Sequence, residues 1–91
     1  MLSFKTFDEV IERANNHELG LSSYICTNSM DKAYKASELM ETGTVAVNTP
    51  LVAIAEAPFG GIKQSGYGRE GGSMAIKDYL NVKYTHLGLK G

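Results

Sequence analysis

Residues 21–48 read LSSYICTNSMDKAYKASELMETGTVAVN, and this stretch decides the fold. Leu21 to Thr27 contains Tyr24 and Ile25, residues that favour an extended strand. Thr44 to Asn48 is a second strand candidate, rich in β-branched side chains. The sequence between them has the length of one helix. Strand, helix and strand in this order predict a βαβ unit, with parallel strands and a right-handed crossover.

The boundaries of the intervening helix are marked by capping residues. Asn28 or Ser29 can cap its N-terminus, and Asp31 stands in the first turn, where a negative charge is favourable. Gly43 is expected to end the helix. The unit is therefore predicted to run without interruption from strand to strand.

An earlier helix is predicted before this unit. Thr6 and Glu9 have the spacing of a capping box, in which the hydroxyl accepts from a helical N–H and the carboxylate reaches back. Asn15 and Asn16 are expected to end the helix, and Gly20 to form a turn. Apolar residues recur at positions i, i+3, i+4 and i+7 and predict a single apolar stripe: Phe7, Val10, Ile11 and Ala14.

The downstream half has a different character. Residues 49–72 hold both prolines and most of the ten glycines, which predicts a long glycine-rich loop. Ser73 to Tyr79 is predicted to form a short helix, and Val82 to Leu89 a final strand. That strand has no partner nearby in the sequence, so it must be covered, or paired with another chain.

Length and composition restrict the function classes. The chain has 91 residues, room for one small domain with a thin core, and a net charge of −1. This charge balance gives no basic surface for nucleic acid or membrane lipid, and no apolar run approaches the roughly 20 residues of a transmembrane helix. The N-terminus lacks the pattern of a secretory signal, and the single Cys26 fits a reducing compartment. We therefore expect a soluble cytoplasmic protein.

Residues 66–71 form a G-x-G-x-x-G string, the pattern of a dinucleotide-binding loop. Such a loop requires an apolar strand before it and an acidic residue about 20 positions later. Residues 61–65 are not an apolar strand, and His86 stands at the later position. We favour a tight turn in which backbone packs on backbone.

Two other reactive side chains, those of Cys26 and Glu56, are open to two interpretations. Cys26 can be a nucleophile or a buried, unreactive thiol, and we predict the second because the sequence places neither His17 nor His86 beside it. Neither histidine has neighbours at metal-ligand spacing, so no zinc site is predicted. Glu56 can be a pocket carboxylate, but a structural hydrogen bond at a bend is the preferred interpretation.

Residues 57–71, APFGGIKQSGYGREG, resemble the aldehyde dehydrogenase superfamily, and a match of this length is specific. The resemblance extends over nearly the whole chain. Residues 14–21 and 43–48 resemble the family's A-N-x-x-x-x-G-L and G-T-V-x-V-N stretches, and residues 78–84 resemble the closing segment of its succinate-semialdehyde branch.

The resemblance implies a partial α/β catalytic domain: a βαβ unit, a glycine-rich loop and a short helix in residues 1–80, then an oligomerisation strand in residues 81–91. In the family, the cysteine nucleophile, the glutamate base and the Rossmann cofactor fold lie upstream of the matched region. The expected chain is a truncated piece of a longer protein or the product of a split reading frame. NAD or NADP is implied for the intact parent, and no cofactor for this chain alone.

The resemblance also implies roles for individual residues. Phe59 would line the aldehyde tunnel, with a core phenylalanine as the alternative. Asn48 and the loop 51–57 would form the tunnel mouth. Ala53 and Ile54 stand in that loop where semialdehyde dehydrogenases often have a polar residue, which argues against a short dicarboxylic semialdehyde.

Two further expectations follow from the resemblance. The backbone carbonyls of Lys63 and Gly66 would bind a monovalent cation, as in some relatives. The final strand would pair with the sheet of a partner subunit and give a homo-oligomer.

Two main functions therefore remain open. The chain can be a segment of an enzyme that oxidises aldehydes to acids, supplying tunnel wall and subunit contacts but inactive alone. It can instead be a module that self-associates or docks to a complementary fragment. A third possibility is that the glycine-rich loop binds an anion through its amides.

Overall fold

The structure is a computed structural model that describes residues 1–90. Within that range the helices are α1, α2 and one 3₁₀ helix, and the strands are β1 to β4. The helices span Phe7–Asn15 (α1), Met30–Leu39 (α2) and Ala75–Tyr79 (3₁₀). The strands span Leu19–Gly20 (β1), Ser22–Ile25 (β2), Thr44–Val47 (β3) and Ile62–Lys63 (β4).

The predicted βαβ unit is present. Strands β2 and β3 pair in parallel, from Ser22 opposite Thr44 to Ile25 opposite Val47, with α2 between them in the chain. Both strands are shorter than the predicted 21–27 and 44–48. Backbone bonds continue the ladder at both ends, from Thr44 N to Leu21 O at 3.1 Å and from Asn48 N to Ile25 O at 2.8 Å.

A second, antiparallel pair was not predicted. Leu19 of β1 lies opposite Lys63 of β4, and Gly20 lies opposite Ile62. Ser65 extends this contact because its Oγ accepts from Gly20 N at 2.9 Å. Two-residue strands carry no periodic signal, so the sequence could not indicate this pairing. It joins the glycine-rich segment to β1, so Gly20 lies in a strand and not in the predicted turn.

The N-terminal caps of α1 and α2 are formed by residues that the sequence predicts. Thr6 Oγ1 accepts from Glu9 N at 3.1 Å, and Glu9 Oε2 reaches back to Lys5 N at 2.9 Å, one residue before the cap. Ser29, one of the two candidates, caps α2 by accepting from Lys32 N at 3.2 Å. The predicted end at Gly43 is wrong. Helix α2 ends at Leu39. A glycine is needed at position 43 because the backbone of Gly60 lies directly against it.

The interior is as thin as the chain length predicts. Within residues 1–90, the buried apolar side chains are those of Ala33, Ala36 and Ala46. The large apolar side chains remain on the surface; the most exposed include Met1, Met30, Leu51, Tyr67, Tyr79, Val82, Tyr84, Leu87 and Leu89. A chain that buries so little apolar area has a small hydrophobic contribution to folding.

The C-terminal part extends away from the rest. The radius of gyration is 18.9 Å and the extents are 73 × 24 × 20 Å, whereas a compact chain of this length has a radius of about 12 Å. The predicted helix 73–79 is present as the shorter and tighter 3₁₀ helix. The predicted strand Val82–Leu89 is not formed in the single chain, where residues 80–90 lie exposed without a ladder. A strand is defined by its pairing, so the oligomerisation strand stays a prediction.

Among the helices of the described residues, none combines the length and the apolar character needed to span a membrane.

Candidate functional site

The glycine-rich segment forms a loop closed by backbone hydrogen bonds. Phe59 N donates to Glu70 O at 2.6 Å, and Glu70 N donates to Phe59 O at 2.7 Å. Gly72 N donates to Ala55 O at 2.8 Å. These bonds fix the position of Phe59 relative to residues 53–55, which precede it.

The G-x-G-x-x-G string is a series of turns. Gly66, Gly68 and Gly71 have φ values of 107°, 88° and 73°, in the region that glycine adopts at little cost. A Cβ on Gly71 would lie 2.8 Å from Ala57 O, so backbone packs directly on backbone there. The structure confirms the predicted tight turn and disfavours a dinucleotide loop, because the string does not open an α-helix.

The glycine-rich loop also contacts a carboxylate of its own chain. Asp78 Oδ2, from the 3₁₀ helix, accepts from Arg69 N at 3.3 Å. A Cβ on Gly68 would lie 3.0 Å from the same oxygen. The anion at the Arg69 amide is therefore an internal one, which weakens the possibility that the glycine-rich loop binds an external anion.

The structure brings together three of the four predicted tunnel residues. Ala53, Ile54 and Phe59 line one open cavity of about 290 Å³, together with Ala55, Glu70 and Gly71. Ile54 is 60% exposed, so this wall is incomplete on one side. The arrangement can form part of an apolar surface for a small molecule.

Asn48, the fourth predicted tunnel residue, is not among the side chains that line this cavity. Its Oδ1 accepts from Thr27 N at 3.0 Å, and its Nδ2 donates to Thr27 O at 2.9 Å. Its φ is 57°, a left-handed conformation that asparagine tolerates better than most residues. Asn48 therefore ties the end of β3 to the segment that leaves β2.

We expect Asn48→Ala to lower the free energy of unfolding by about 1–2 kcal/mol, because both hydrogen bonds are lost and alanine is strained at this φ. Urea unfolding followed by circular dichroism measures the loss. Asn81→Ala, in the exposed tail, is the matched control. Equal stabilities of the two variants would contradict the role assigned to Asn48.

Cys26 is exposed, so the predicted burial was wrong. It lies just beyond Ile25, the last residue of β2, where the chain leaves the sheet. Its neighbours line a groove between α1, β2 and α2: Phe4, Lys5, Phe7, Val10, Ile11, Ala14, Ser23, Tyr24, Ile25, Thr27, Lys32, Ala36 and Met40. This lining contains no histidine that could act as a base for the thiol.

Two other sequence interpretations concern acidic and metal-binding groups. Glu56 is exposed in a turn, and within the described residues its carboxylate makes no hydrogen bond, so the predicted structural bond is not observed. No cluster of three His, Cys, Asp or Glu side chains suitable for a metal occurs in residues 1–90.

Basic residues whose side chains were given no role in the sequence analysis hold the glycine-rich segment together. Arg69 Nη1 donates to Gly61 O and to Gly68 O, each at 2.8 Å. Lys63 Nζ lies 3.0 Å from Asn15 O, 3.3 Å from His17 O and 3.0 Å from Glu41 Oε2. The Lys63 carbonyl accepts from Gly66 N at 3.4 Å. A basic residue within a glycine-rich stretch was the available signal in both cases, but the acceptors of Lys63 lie 22 to 48 residues away in the sequence.

Comparison with known proteins agrees with the resemblance. Residues 1–85 match the aldehyde dehydrogenase family. The chain is 48% identical over 88 residues to 3-sulfolactaldehyde dehydrogenase of Pseudomonas putida, covering 97% of this chain and 18% of that protein. It is 42% identical over 89 residues to the NADP(+) succinate-semialdehyde dehydrogenase of Escherichia coli K12, covering 98% and 18%.

Solved structures give the same result. The NAD+ complex of an aldehyde dehydrogenase from Bacillus cereus has a TM-score of 0.87 at 44% identity, over 90% of this chain and 17% of that chain. The chain therefore spans less than a fifth of the length of the curated relatives it matches, 18% in each of the two named here. On this sequence match and this structural similarity together, the chain belongs to the aldehyde dehydrogenase family of oxidoreductases.

Proposed function

We propose that this chain is the C-terminal segment of an NAD(P)-dependent aldehyde dehydrogenase, in which it supplies part of the substrate-tunnel wall and subunit contacts. The observation that carries the proposal is the family match over residues 1–85, which corresponds to less than a fifth of each relative. The cavity lined by Ala53, Ile54 and Phe59 supports the tunnel role. Alone, the chain is inactive.

The tunnel wall acts by excluding water and orienting the substrate. Phe59 provides an aromatic surface, and Ala53 and Ile54 provide apolar neighbours, so the body of an aldehyde gains contacts while its carbonyl stays free to react. Asn48 contributes by fixing the backbone at the end of β3, since its amide is bonded to Thr27. The apolar wall favours an aldehyde whose body is uncharged at this point.

The described residues do not fit a nicotinamide dinucleotide. The G-x-G-x-x-G string folds as turns, and the Asp78 carboxylate already accepts a hydrogen bond from the Arg69 amide. One relative is an NADP(+) enzyme and another was solved with NAD+. NAD or NADP therefore belongs to the proposal for the whole enzyme, and is held by parts outside this chain.

The proposal for the whole enzyme also includes a monovalent cation at the carbonyls of Lys63 and Gly66. It includes a cytoplasmic location as well.

The isolated chain is expected to reduce neither NAD nor NADP when it is mixed with a panel of aldehydes, because the residues that line the groove around the Cys26 thiol include no histidine. Absorbance of the reduced cofactor is the measurement, and Cys26→Ala is the matched variant. Turnover by the wild-type chain that disappears in Cys26→Ala would overturn the inactive-segment proposal.

A chimera tests the tunnel role directly. Residues 1–85 replace the matching segment of the E. coli relative, and the chimera is expected to retain dehydrogenase activity. Phe59→Ala in the chimera should lower kcat/KM for an apolar aldehyde by at least about tenfold, because a large apolar contact is lost. Tyr67→Ala, at an aromatic residue that is 107% exposed, is the control. An inactive but folded chimera, or equal effects of both substitutions, would contradict the role.

The second candidate function is a module that self-associates or docks to a complementary fragment without catalysis. The exposure of large apolar side chains on a thin core favours it, since association is a common way to cover such surface. In this proposal, the C-terminal tail joins copies into a homo-oligomer. Light scattering should give an apparent mass that rises with concentration, and a chain that stays monomeric at every concentration would rule this function out.

A further inference from the structure

The side chain of Lys63 crosses from β4 to the end of α1. Its Nζ donates to Asn15 O at 3.0 Å, to His17 O at 3.3 Å and to Glu41 Oε2 at 3.0 Å. The three acceptors come from two places in the chain, 22 to 48 residues away from Lys63. One ammonium group therefore joins α1, the loop after α2 and the glycine-rich segment.

The two carbonyls have a common physical origin. Asn15 is the last residue of α1 and His17 follows it closely, so both carbonyls lie at the helix C-terminus. Carbonyls in the last turn lack helical partners, and the helix dipole places partial negative charge there. A cation at this position is stabilised by the dipole and by the Glu41 carboxylate together.

The end of α1 is held in place without the help of Lys63, and Asn15 O also accepts from His17 N at 2.8 Å. The Asn15 side chain donates from Nδ2 to Leu39 O at 2.8 Å, and its Oδ1 accepts from Glu41 N at 2.8 Å. The end of α1 is thus fixed to the loop that carries Glu41. We call the oxygens of Asn15, His17 and Glu41 the ammonium cradle.

We propose that the ammonium cradle is a binding site for a primary ammonium group, filled in this chain by Lys63, and that Lys63 is thereby the positioning residue of the glycine-rich segment. A primary ammonium has three donors that can point to three separate oxygens. The Lys63 side chain is 27% exposed, so its charge is only partly screened by solvent. The proposal does not depend on the dehydrogenase function.

Backbone packing links the position of Lys63 to that of Phe59. Lys63 has a φ of 55°, an unfavourable conformation for lysine that persists only when the surroundings hold it. Between Phe59 and Lys63, Gly60 lies against Gly43 and Gly61 lies against Ser65, at distances that leave no room for a Cβ. Residues 59–63 are therefore expected to shift together when the ammonium is removed.

Amide hydrogen exchange of the 91-residue chain, followed by NMR, tests the proposal. In Lys63→Ala, the amides of Gln64 and Gly20, which bond to Glu18 O and Ser65 Oγ, are expected to exchange about tenfold faster. The amide of Asn48, bonded to Ile25 O, should change by less than about twofold, because the βαβ unit remains folded.

Chemical rescue separates an ammonium site from a general loss of packing. Propylammonium replaces the atoms removed in Lys63→Ala and is expected to restore slow exchange at Gln64. Tetramethylammonium has no N–H donor and should not restore it. Lys35→Ala, at an exposed lysine of α2, is expected to give wild-type exchange with either salt.

Several outcomes would overturn the proposal: wild-type exchange at Gln64 in Lys63→Ala, equal acceleration at Asn48, or equal effects of the two salts. If Lys63→Ala does not fold, Lys63→Met keeps the stem and Glu41→Gln removes one charged acceptor. Both should then accelerate exchange at Gln64 but not at Asn48, and failure of both to do so would refute the site. The proposed dehydrogenase role would be unaffected, since no readout involves activity.

Discussion

Replacing Gly43 with alanine is expected to lower the free energy of unfolding by about 3 kcal/mol, enough to unfold much of a marginally stable chain. A Cβ at this position would lie 1.8 Å from Gly60 O, 2.8 Å from Gly60 C and 3.0 Å from Gly61 Cα. All three atoms belong to backbone, which cannot move aside as the end of a flexible side chain can. The cost is therefore steric, and it falls where β3 begins.

The measurement is urea unfolding followed by circular dichroism, with Gly88→Ala as the matched control. A Cβ on Gly88 would meet nothing within 4 Å, so the same substitution in the tail should leave stability unchanged. A folded Gly43→Ala chain as stable as Gly88→Ala would contradict the close approach of residues 43 and 60.

Deleting residues 82–91 is expected to weaken self-association by at least about a hundredfold. The deleted tail carries Val82, which is 101% exposed, and the exposed Tyr84, Leu87 and Leu89. Each such side chain contributes roughly 1.5–3 kcal/mol when it is fully buried, and the ordering of the tail offsets part of the total. A net loss of about 3 kcal/mol corresponds to a hundredfold change in dissociation constant.

Sedimentation equilibrium of the full and shortened chains measures this change. Lys83→Ala removes a polar side chain within the tail and is expected to leave association unchanged. Protection of the β2 and β3 amides should be the same in all three chains, because the tail supplies none of the buried side chains. Equal association of the full and shortened chains would assign the contact to another surface.

The predictions that rest on neighbouring residues are confirmed, because the physical cause of each feature is local. Thr6 and Ser29 cap their helices because a hydroxyl three residues before a free N–H is within reach in any fold. The strands containing Tyr24 and Val45 pair in parallel, as the intervening helix requires. Gly66 and Gly68 adopt the turn conformations that glycine permits.

The wrong predictions concern the surroundings of a residue in the folded chain. Cys26 has an apolar sequence context but lies beyond the end of β2, so it is exposed. Gly43 has the spacing of a helix-ending glycine, but α2 ends at Leu39 and the glycine is needed for the approach of Gly60. Glu56 was assigned a structural hydrogen bond, but it stands in an exposed turn. The spacing of residues in the sequence does not indicate which residues are close to one another in the folded chain.

The sequence by itself determined the family, the βαβ unit, the capped helices and the glycine turns, because each is specified by neighbouring residues or by a long matched motif. Only the tertiary structure decided which distant groups meet. It pairs β1 with β4, gathers Ala53, Ile54 and Phe59 around one cavity and assigns the Asn48 amide to Thr27. It also places the Lys63 ammonium on three oxygens far away in the sequence, because the folding of α1 and α2 brings their ends to the same point.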